Sequence, residues 1–204
     1  MPSIYDLKPR FQNLLRPCTA WLARHGVTAN QVTIAAVILS AIGGGLIAAY
    51  PTRPWALLST PVVLLVRMAL NAVDGMLARE FGMKSRLGAV LNELGDVISD
   101  VVLYLPLALV PIVPAWAVVA FVLQAVIVEF AGVVAIQIGS PRGYQGPLGK
   151  SDRAFWMGAM ATLLAFDILS PRLAMIALVL LTTLGLVTMV KRVSVALRNQ
   201  QETV

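Results

Sequence analysis

Six apolar runs, each close to the length that crosses a bilayer, dominate this sequence and leave it few ways to fold. They lie near residues 31–50, 54–79, 87–112, 114–138, 153–169 and 173–190. About 20 residues of helix span roughly 30 Å of hydrocarbon, and only helices or closed barrels satisfy every backbone N–H and C=O there. The runs are continuous and lack the apolar–polar alternation of barrel strands, so helices are expected. Composition agrees, with 58% of the 204 residues apolar and 13% charged, outside the range of a soluble domain. The expected fold is all-α, a polytopic membrane protein with six transmembrane helices and an N-terminal amphipathic interfacial helix.

The net charge of +6 becomes informative once it is laid on that topology. With a cytosolic N-terminus, the inside segments hold Lys8, Arg10, Arg16, Arg24, Arg79, Lys84, Arg86, Arg142, Lys150, Arg153, Lys191, Arg192 and Arg198. The outside turns hold only Arg53 and Arg172, and Arg67 falls within a span. The positive-inside rule then puts both termini in the cytosol, the membrane being the cell's inner or plasma membrane. The basic excess reads as topology and contact with anionic membrane lipids, and no nucleic acid is expected as a partner. The single cysteine, Cys18, excludes an internal disulfide. The first apolar run begins late and follows a basic stretch, unlike a cleavable signal peptide.

Three segments follow: an interfacial helix over 1–30, a membrane domain over 31–192 and a cytosolic tail over 193–204. In the first, Ile4, Leu7, Phe11, Leu14, Leu15, Cys18, Trp21 and Leu22 recur at three- and four-residue steps between basic residues, with Pro9 and Pro17 as expected kinks or restarts. In "GVTANQVT" Thr28 is expected to cap a helix starting at Asn30 or Gln31. Pro51 with Pro54, and Pro111 with Pro114, bracket tight outside turns, while residues 139–153 form the one long polar loop. Gly43, Gly44, Gly45, Gly158 and Ala161 read as close helix packing, and such faces could equally pack a homodimer.

The charge inside the oil is concentrated in "NAVDGMLAREFGMKSRLGAVLNELGDVISD", residues 71–100. On the second span Arg67, Asn71, Asp74 and Ala78 recur at four, three and four residues, which stacks them on one face. On the third, Gly88, Asn92, Asp96 and Asp100 recur every four, with Glu93 beside them. Left facing lipid, Asp74, Glu93, Asp96 and Asp100 together would cost roughly 10 kcal/mol or more. Hydrated, protonated or cation-bound carboxylates avoid that cost. Oxygen donors without His or Cys favour Mg²⁺, Mn²⁺ or Ca²⁺ over zinc. At ~1.5 Å per residue Asp74 lies about 7–8 Å inside Arg79, within reach of a cytosolic phosphate, whereas Asp100, about 21 Å from Arg86, reads as a hydrogen-bonded or protonated group. Gly75, Ala78 and Gly88 would let a bulky ligand approach the backbones, and Arg79 can grip a phosphate.

The stretch "DGMLAREFGMKSRLGAVLNELGD" resembles the signature of the CDP-alcohol phosphatidyltransferase family, D-x-x-D-G-x-x-A-R, eight residues, then G-x-x-x-D-x-x-x-D. Asp74, Gly75, Ala78, Arg79, Gly88 and Asp96 fall in register without a gap. "TANQVT" is similar to the family's T-P-N-x-x-T, with Ala29 where proline is usual. The resemblance implies transfer of a phosphatidyl or similar phospho-group from a CDP-linked lipid, CDP-diacylglycerol foremost, to an alcohol acceptor, with release of CMP in phospholipid biosynthesis. It further implies Mg²⁺ or Mn²⁺, as one or two ions, held by Asp74, Asp96, Asn71 and Asn92. Gly75, Ala78, Arg79 and Gly88 would line the donor, and Asp96 would be the base that takes the acceptor's proton. This chain departs from the pattern at the first and third acidic positions, which are Asn71 and Asn92, so two negative charges stand where four are usual.

Arg67 reads either as a contact to the donor's phosphates or as the ion-pair partner of an acid such as Glu129. Lys150 and Arg153 open the fifth span, where an acceptor or its phosphate could dock. Ser151 and Asp152 beside them would also serve as an ordinary cap. His25 reads as an interfacial residue. Two rivals stand beside an active transferase: a weak or inactive homologue that binds a CDP-lipid or a partner enzyme, and a cation or proton transporter, which usually places its site near the midplane between repeats.

Overall fold

Capping chemistry sets the helix boundaries. The computed structural model describes residues 4–201, with side chains described over 11–198, so the extreme ends of the 1–30 and 193–204 segments lie outside the described residues. The helices are α1 (Ile4–Arg24), α2 (Ala29–Ala49), α3 (Pro54–Glu80), α4 (Arg86–Tyr104), α5 (Ala115–Gln137), α6 (Lys150–Ala165) and α7 (Pro171–Gln201), with a 3₁₀ turn over Leu105–Leu109 continuing α4. No strand occurs among the described residues.

α1 closes at Gly26, whose φ of +74° suits glycine, with the Val27 N–H returning to the Leu22 carbonyl at 3.0 Å. α2 then opens on a reciprocal cap: the Gln31 N–H donates to Thr28 Oγ1 at 3.3 Å, and the Thr28 N–H donates to Gln31 Oε1 at 2.8 Å. Thr28 is thus the cap expected of it, one residue ahead of the expected start. Pro17 does not break α1, because it lies on the exposed side, where water can satisfy the carbonyl it leaves unbonded.

Four helices are long and apolar enough to cross a membrane: α2, α3, α5, and α7 from Pro171 to Arg198. The other two expected spans are different in kind. The run expected over 87–112 is helical only to Tyr104, continues as a 3₁₀ turn, and carries Arg86, Glu93, Asp96 and Asp100. The run expected over 153–169 is the 16-residue α6, about 24 Å long at 1.5 Å per residue. At the other end, α7 runs unbroken to Gln201 because no Gly or Pro interrupts residues 191–201, so the expected tail is mostly a continuation of the last helix.

The chain divides into two units. The first comprises residues 1–42 and 62–99, and it carries the charged stretch. In it α1 packs Leu15 and Leu22 against a core of Ala29, Val32, Val73 and Leu77, and Arg16 Nη1 meets Glu80 Oε2 at 2.7 Å.

The second unit comprises residues 43–61 and 100–204. A methyl on Gly44 would collide with the Val102 backbone carbonyl, so its absent Cβ permits a helix contact, whereas Gly45 faces open space. The unit is organised around Glu129. Glu129 Oε1 receives Arg153 Nη2 at 2.9 Å, while Oε2 meets Arg142 Nη2 at 3.1 Å and Arg192 Nη1 at 3.4 Å. Arg153 Nη2 also meets Asp100 Oδ2 at 3.1 Å. Asp100 is therefore the hydrogen-bonded group its depth implied. Three guanidiniums hold Glu129, and the acid that Arg67 meets within its own unit is Asp96. The long loop is pinned to α7, with the Leu148 N–H donating to Thr188 Oγ1 at 2.9 Å.

Removing one charge from a buried network leaves the others uncompensated, at about 3–5 kcal/mol. Glu129→Gln is expected to destabilise the protein by that order in an SDS unfolding titration. Phe130→Leu, on the neighbouring and 67% exposed side chain, should stay within about 0.5 kcal/mol. Equal, small effects would show that the network contributes nothing.

Candidate functional site

The charged faces of α3 and α4 meet within the first unit. α3 ends where the Phe81 N–H and Met83 N–H both return to the Leu77 carbonyl and Gly82 takes a φ of +69°. α4 restarts at Arg86 with Ser85 as its cap, Ser85 Oγ accepting the Gly88 N–H at 2.9 Å. This short turn puts Asp96 opposite the middle of α3. Asn71 Nδ2 donates to Asp96 Oδ1 at 3.3 Å, Arg67 Nη2 donates to the Asp96 backbone carbonyl at 3.1 Å, and the same Nη2 lies 3.8 Å from Asp96 Oδ1. Arg67 is 3% exposed, so this is an ion pair built into the helix interface.

Asp74, 6% exposed, faces α2. Thr33 Oγ1 donates to Asp74 Oδ2 at 2.8 Å. α2 also touches α4, since a Cβ on Gly95 would lie 3.2 Å from Val37 Cγ2 and 3.5 Å from Thr33 Cγ2. Gly95 thereby lets the residue before Asp96 sit against the threonine that holds Asp74. Gly88 serves a parallel purpose one end lower, where a Cβ would stand 2.7 Å from Asn30 Oδ1.

The remaining residues of the signature are arranged around these contacts. Gly75 offers a shallow seat over which Arg79 folds, its Nη2 3.0 Å from the Cβ position, and Arg79 is otherwise exposed. Ala78 is half-buried and Asn92 exposed. The donors are thus two carboxylates, Asp74 and Asp96, and two amide side chains. No group of three or more His, Cys, Asp or Glu able to hold a metal occurs among the described residues. By donor chemistry alone, oxygen side chains of this kind suit a hard divalent cation such as Mg²⁺ or Mn²⁺ rather than zinc.

Lys150 and Arg153 belong to the second unit. Arg153 is 0% exposed and already engaged with Asp100 and Glu129, yet its Nε and Nη1 find no hydrogen-bond partner among the described residues. Asp152, as expected of a cap, accepts the Gly149 N–H on Oδ2 at 2.8 Å. His25, exposed and one residue past α1, bonds the Trp21 carbonyl at 2.8 Å with its ring 4.2 Å from that of Trp21. Two site residues carried little signal in the sequence. Thr33 was legible only as the last threonine of "TANQVT", and Asn30 only as its asparagine.

Comparison with known proteins bears on this site. A model of the CDP-alcohol phosphatidyltransferase family matches residues 26–194. The chain is 49% identical over 156 residues to inner membrane protein YnbA of Escherichia coli strain K12, covering 76% of this chain and 77% of that protein. It is 30% identical over 103 residues to archaetidylinositol phosphate synthase of Pyrococcus horikoshii, about half of either chain (50% and 52%). The fold matches that of Mycobacterium tuberculosis phosphatidylinositol phosphate synthase (PgsA1) with CDP-DAG bound, at a TM-score of 0.73 and 23% identity over 88% of this chain and 92% of that one. The same protein in complex with manganese and citrate gives 0.72 and 24% over 88% and 87%.

A double-mutant cycle tests the helix contact that orients Asp74. Thr33→Val and Asp74→Asn, singly and together, are expected to show a coupling of about 1 kcal/mol in SDS unfolding, within the range usual for contacting polar groups. Additive effects would show that the hydroxyl does not hold the carboxylate.

Proposed function

This chain belongs to the CDP-alcohol phosphatidyltransferase family, and on that premise we propose that it transfers a phosphatidyl group from CDP-diacylglycerol to an alcohol acceptor, releasing CMP. The observation that carries this reading is Asp96, held from α3 by Asn71 and Arg67, with Asp74 and the Gly75, Ala78, Arg79 and Gly88 register intact. The acceptor hydroxyl oxygen bonds to the phosphorus that bears the lipid, the bond from that phosphorus to the CMP oxygen breaks, and the hydroxyl proton passes to Asp96. A Mg²⁺ or Mn²⁺ ion, when bound, offsets the charge of the pyrophosphate and of departing CMP. Asp74, with Asn71 and Asn92 as neutral oxygen donors, would hold it. Gly75 and Gly88 leave room for the donor against the helix backbones, and the exposed Arg79 grips its phosphate.

For the acceptor we favour a phosphate-bearing alcohol. Around Glu129 and Asp100 stand three guanidiniums, those of Arg142, Arg153 and Arg192, a cluster of the kind that binds phosphate. Lys150 and Arg153 are the contacts proposed for it. The two synthases among the similar proteins are, by name, inositol phosphate enzymes, which supports the same acceptor class.

The six-span topology, with both termini and the site cytosolic and α1 in the interface of an inner membrane, belongs to this proposal as well. What supports it for α4 is an exposed apolar stripe, Leu87, Val90, Leu94 and Ile98, and for α6 the exposed Phe155, Trp156 and Leu163. Such side chains are suited to lipid. The weak-homologue alternative draws on Asn71 and Asn92 alone, and a homodimer packed on small-residue faces remains compatible.

The test is CMP release by purified protein from CDP-diacylglycerol with Mg²⁺ or Mn²⁺, against glycerol phosphate, inositol phosphate, serine and simple polyols. Metal-dependent release with one phosphorylated acceptor is expected, reduced at least 100-fold in Asp96→Ala. CDP-lipid binding without release from any acceptor would favour the binding-only homologue.

A further inference from the structure

The polar loop between α5 and α6 carries a large aromatic side chain that the transferase reading leaves unused. Tyr144 is 69% exposed, yet the backbone on either side of it is anchored. The Gly143 N–H donates to the Gly132 carbonyl on α5 at 3.1 Å, and Arg192 Nε on α7 donates to the Gln145 carbonyl at 3.4 Å. Next in the chain, Gly146 takes a φ of +134° and lies so close to Thr188 that a Cβ would collide with its side chain. A positive φ and so close an approach both require glycine. With the Leu148 N–H on Thr188 Oγ1 at 2.9 Å, the loop is a strap fastened to α5 and α7, and Tyr144 is exposed where that strap is fixed.

The ring meets one member of the guanidinium cluster. The Arg142 guanidinium carbon lies 4.4 Å from the Tyr144 ring centroid, inside the roughly 6 Å range of a cation–π contact. The same guanidinium presents Nη2 to Glu129 Oε2 at 3.1 Å. Among the three guanidiniums on Glu129, the Arg142 side chain is 14% exposed, against 1% for Arg153 and 2% for Arg192. A solute arriving from water therefore meets Arg142 first. An aromatic ring over the flat face of a guanidinium leaves the in-plane N–H donors to oxygen partners, whereas a second carboxylate would take those donors and offset the charge. Because backbone contacts already fasten the loop, the ring is not needed to hold it down.

We propose that Tyr144 is a positioning residue for the acceptor: stacked on Arg142, it sets the tilt of the most exposed guanidinium of the cluster so that its N–H edge meets the phosphate of a phosphate-bearing alcohol. Glu129 holds that guanidinium from one side and Tyr144 from its face. Tyr144 thus acts through Arg142, and it is the flat face of the ring, shared by tyrosine and phenylalanine, that matters.

The inference rests on the acceptor class favoured above, and the experiment separates the two. CMP release by the purified full chain is followed against the concentration of inositol phosphate and of glycerol phosphate, with Mn²⁺ and CDP-diacylglycerol held constant. Tyr144→Leu is expected to raise the KM of the phosphorylated acceptor about 2- to 5-fold, the size of one cation–π contact at an exposed position. Its kcat and its KM for CDP-diacylglycerol should not change, and Tyr144→Phe should restore the acceptor KM. In an Arg142→Gln background Tyr144→Leu should add no further rise. An unchanged acceptor KM in Tyr144→Leu would overturn the proposal and leave the acceptor reading intact. A Tyr144→Phe variant as impaired as Tyr144→Leu would overturn it as well, since the hydroxyl and not the ring face would then be at work. Release with unphosphorylated acceptors alone, or with none, would overturn the acceptor reading and the inference together. Should Arg142→Gln not fold, the contrast between the two Tyr144 variants still decides.

Discussion

Carboxylates among apolar helices govern this structure, because each must be given a partner before the helices can close. Asp74 receives Thr33, Asp96 receives Asn71 and Arg67, Asp100 receives Arg153, and Glu129 receives three guanidiniums. Each partner comes from a different helix or from a loop, so satisfying the charge and packing the helices are the same event. In the second unit this recruits even the polar loop, whose Arg142 reaches Glu129. A carboxylate facing lipid would cost about 2.5–3.5 kcal/mol on the mildest scale, and that penalty selects the register in which the helices meet.

The two sets of acids are treated differently. Three guanidiniums surround Glu129, and one of them also meets Asp100, whereas Thr33 and Asn71 bring neutral donors to Asp74 and Asp96. Neutral donors orient a carboxylate without cancelling its charge, and guanidiniums both orient and offset it.

Much of this was legible in the sequence. The periodicity of Arg67, Asn71, Asp74 and Ala78, and the glycine and arginine register, led directly to the helix pair and its facing polar stripes. Thr28 and the proline-bracketed turns were legible because caps and turns are local chemistry. What escaped was long-range. The partner of Arg67 lies 29 residues away on α4, Thr33 is 41 residues from Asp74, and Arg153 is 53 from Asp100. Hydropathy counts residues without regard to which face they occupy. It therefore did not show how α4 divides its faces, with acids on one and Leu87, Val90, Leu94 and Ile98 on another, nor that α6 stops after 16 residues.

The two asparagines acquire a physical sense from this geometry. Had residue 71 been an aspartate, two carboxylates would face each other across α3 and α4, and without a cation between them they would repel. An asparagine amide turns that repulsion into a hydrogen bond, with Asn71 Nδ2 on Asp96 Oδ1. The helix interface therefore closes whether or not metal is bound, and Asp96 keeps its place between turnovers. Replacing acid by amide lowers the charge available to metal, but it leaves Asp96 oriented by contacts that are always present. The hydrogen bonds from Asn71 and Arg67 to Asp96 thus hold the shape of this helix pair by themselves.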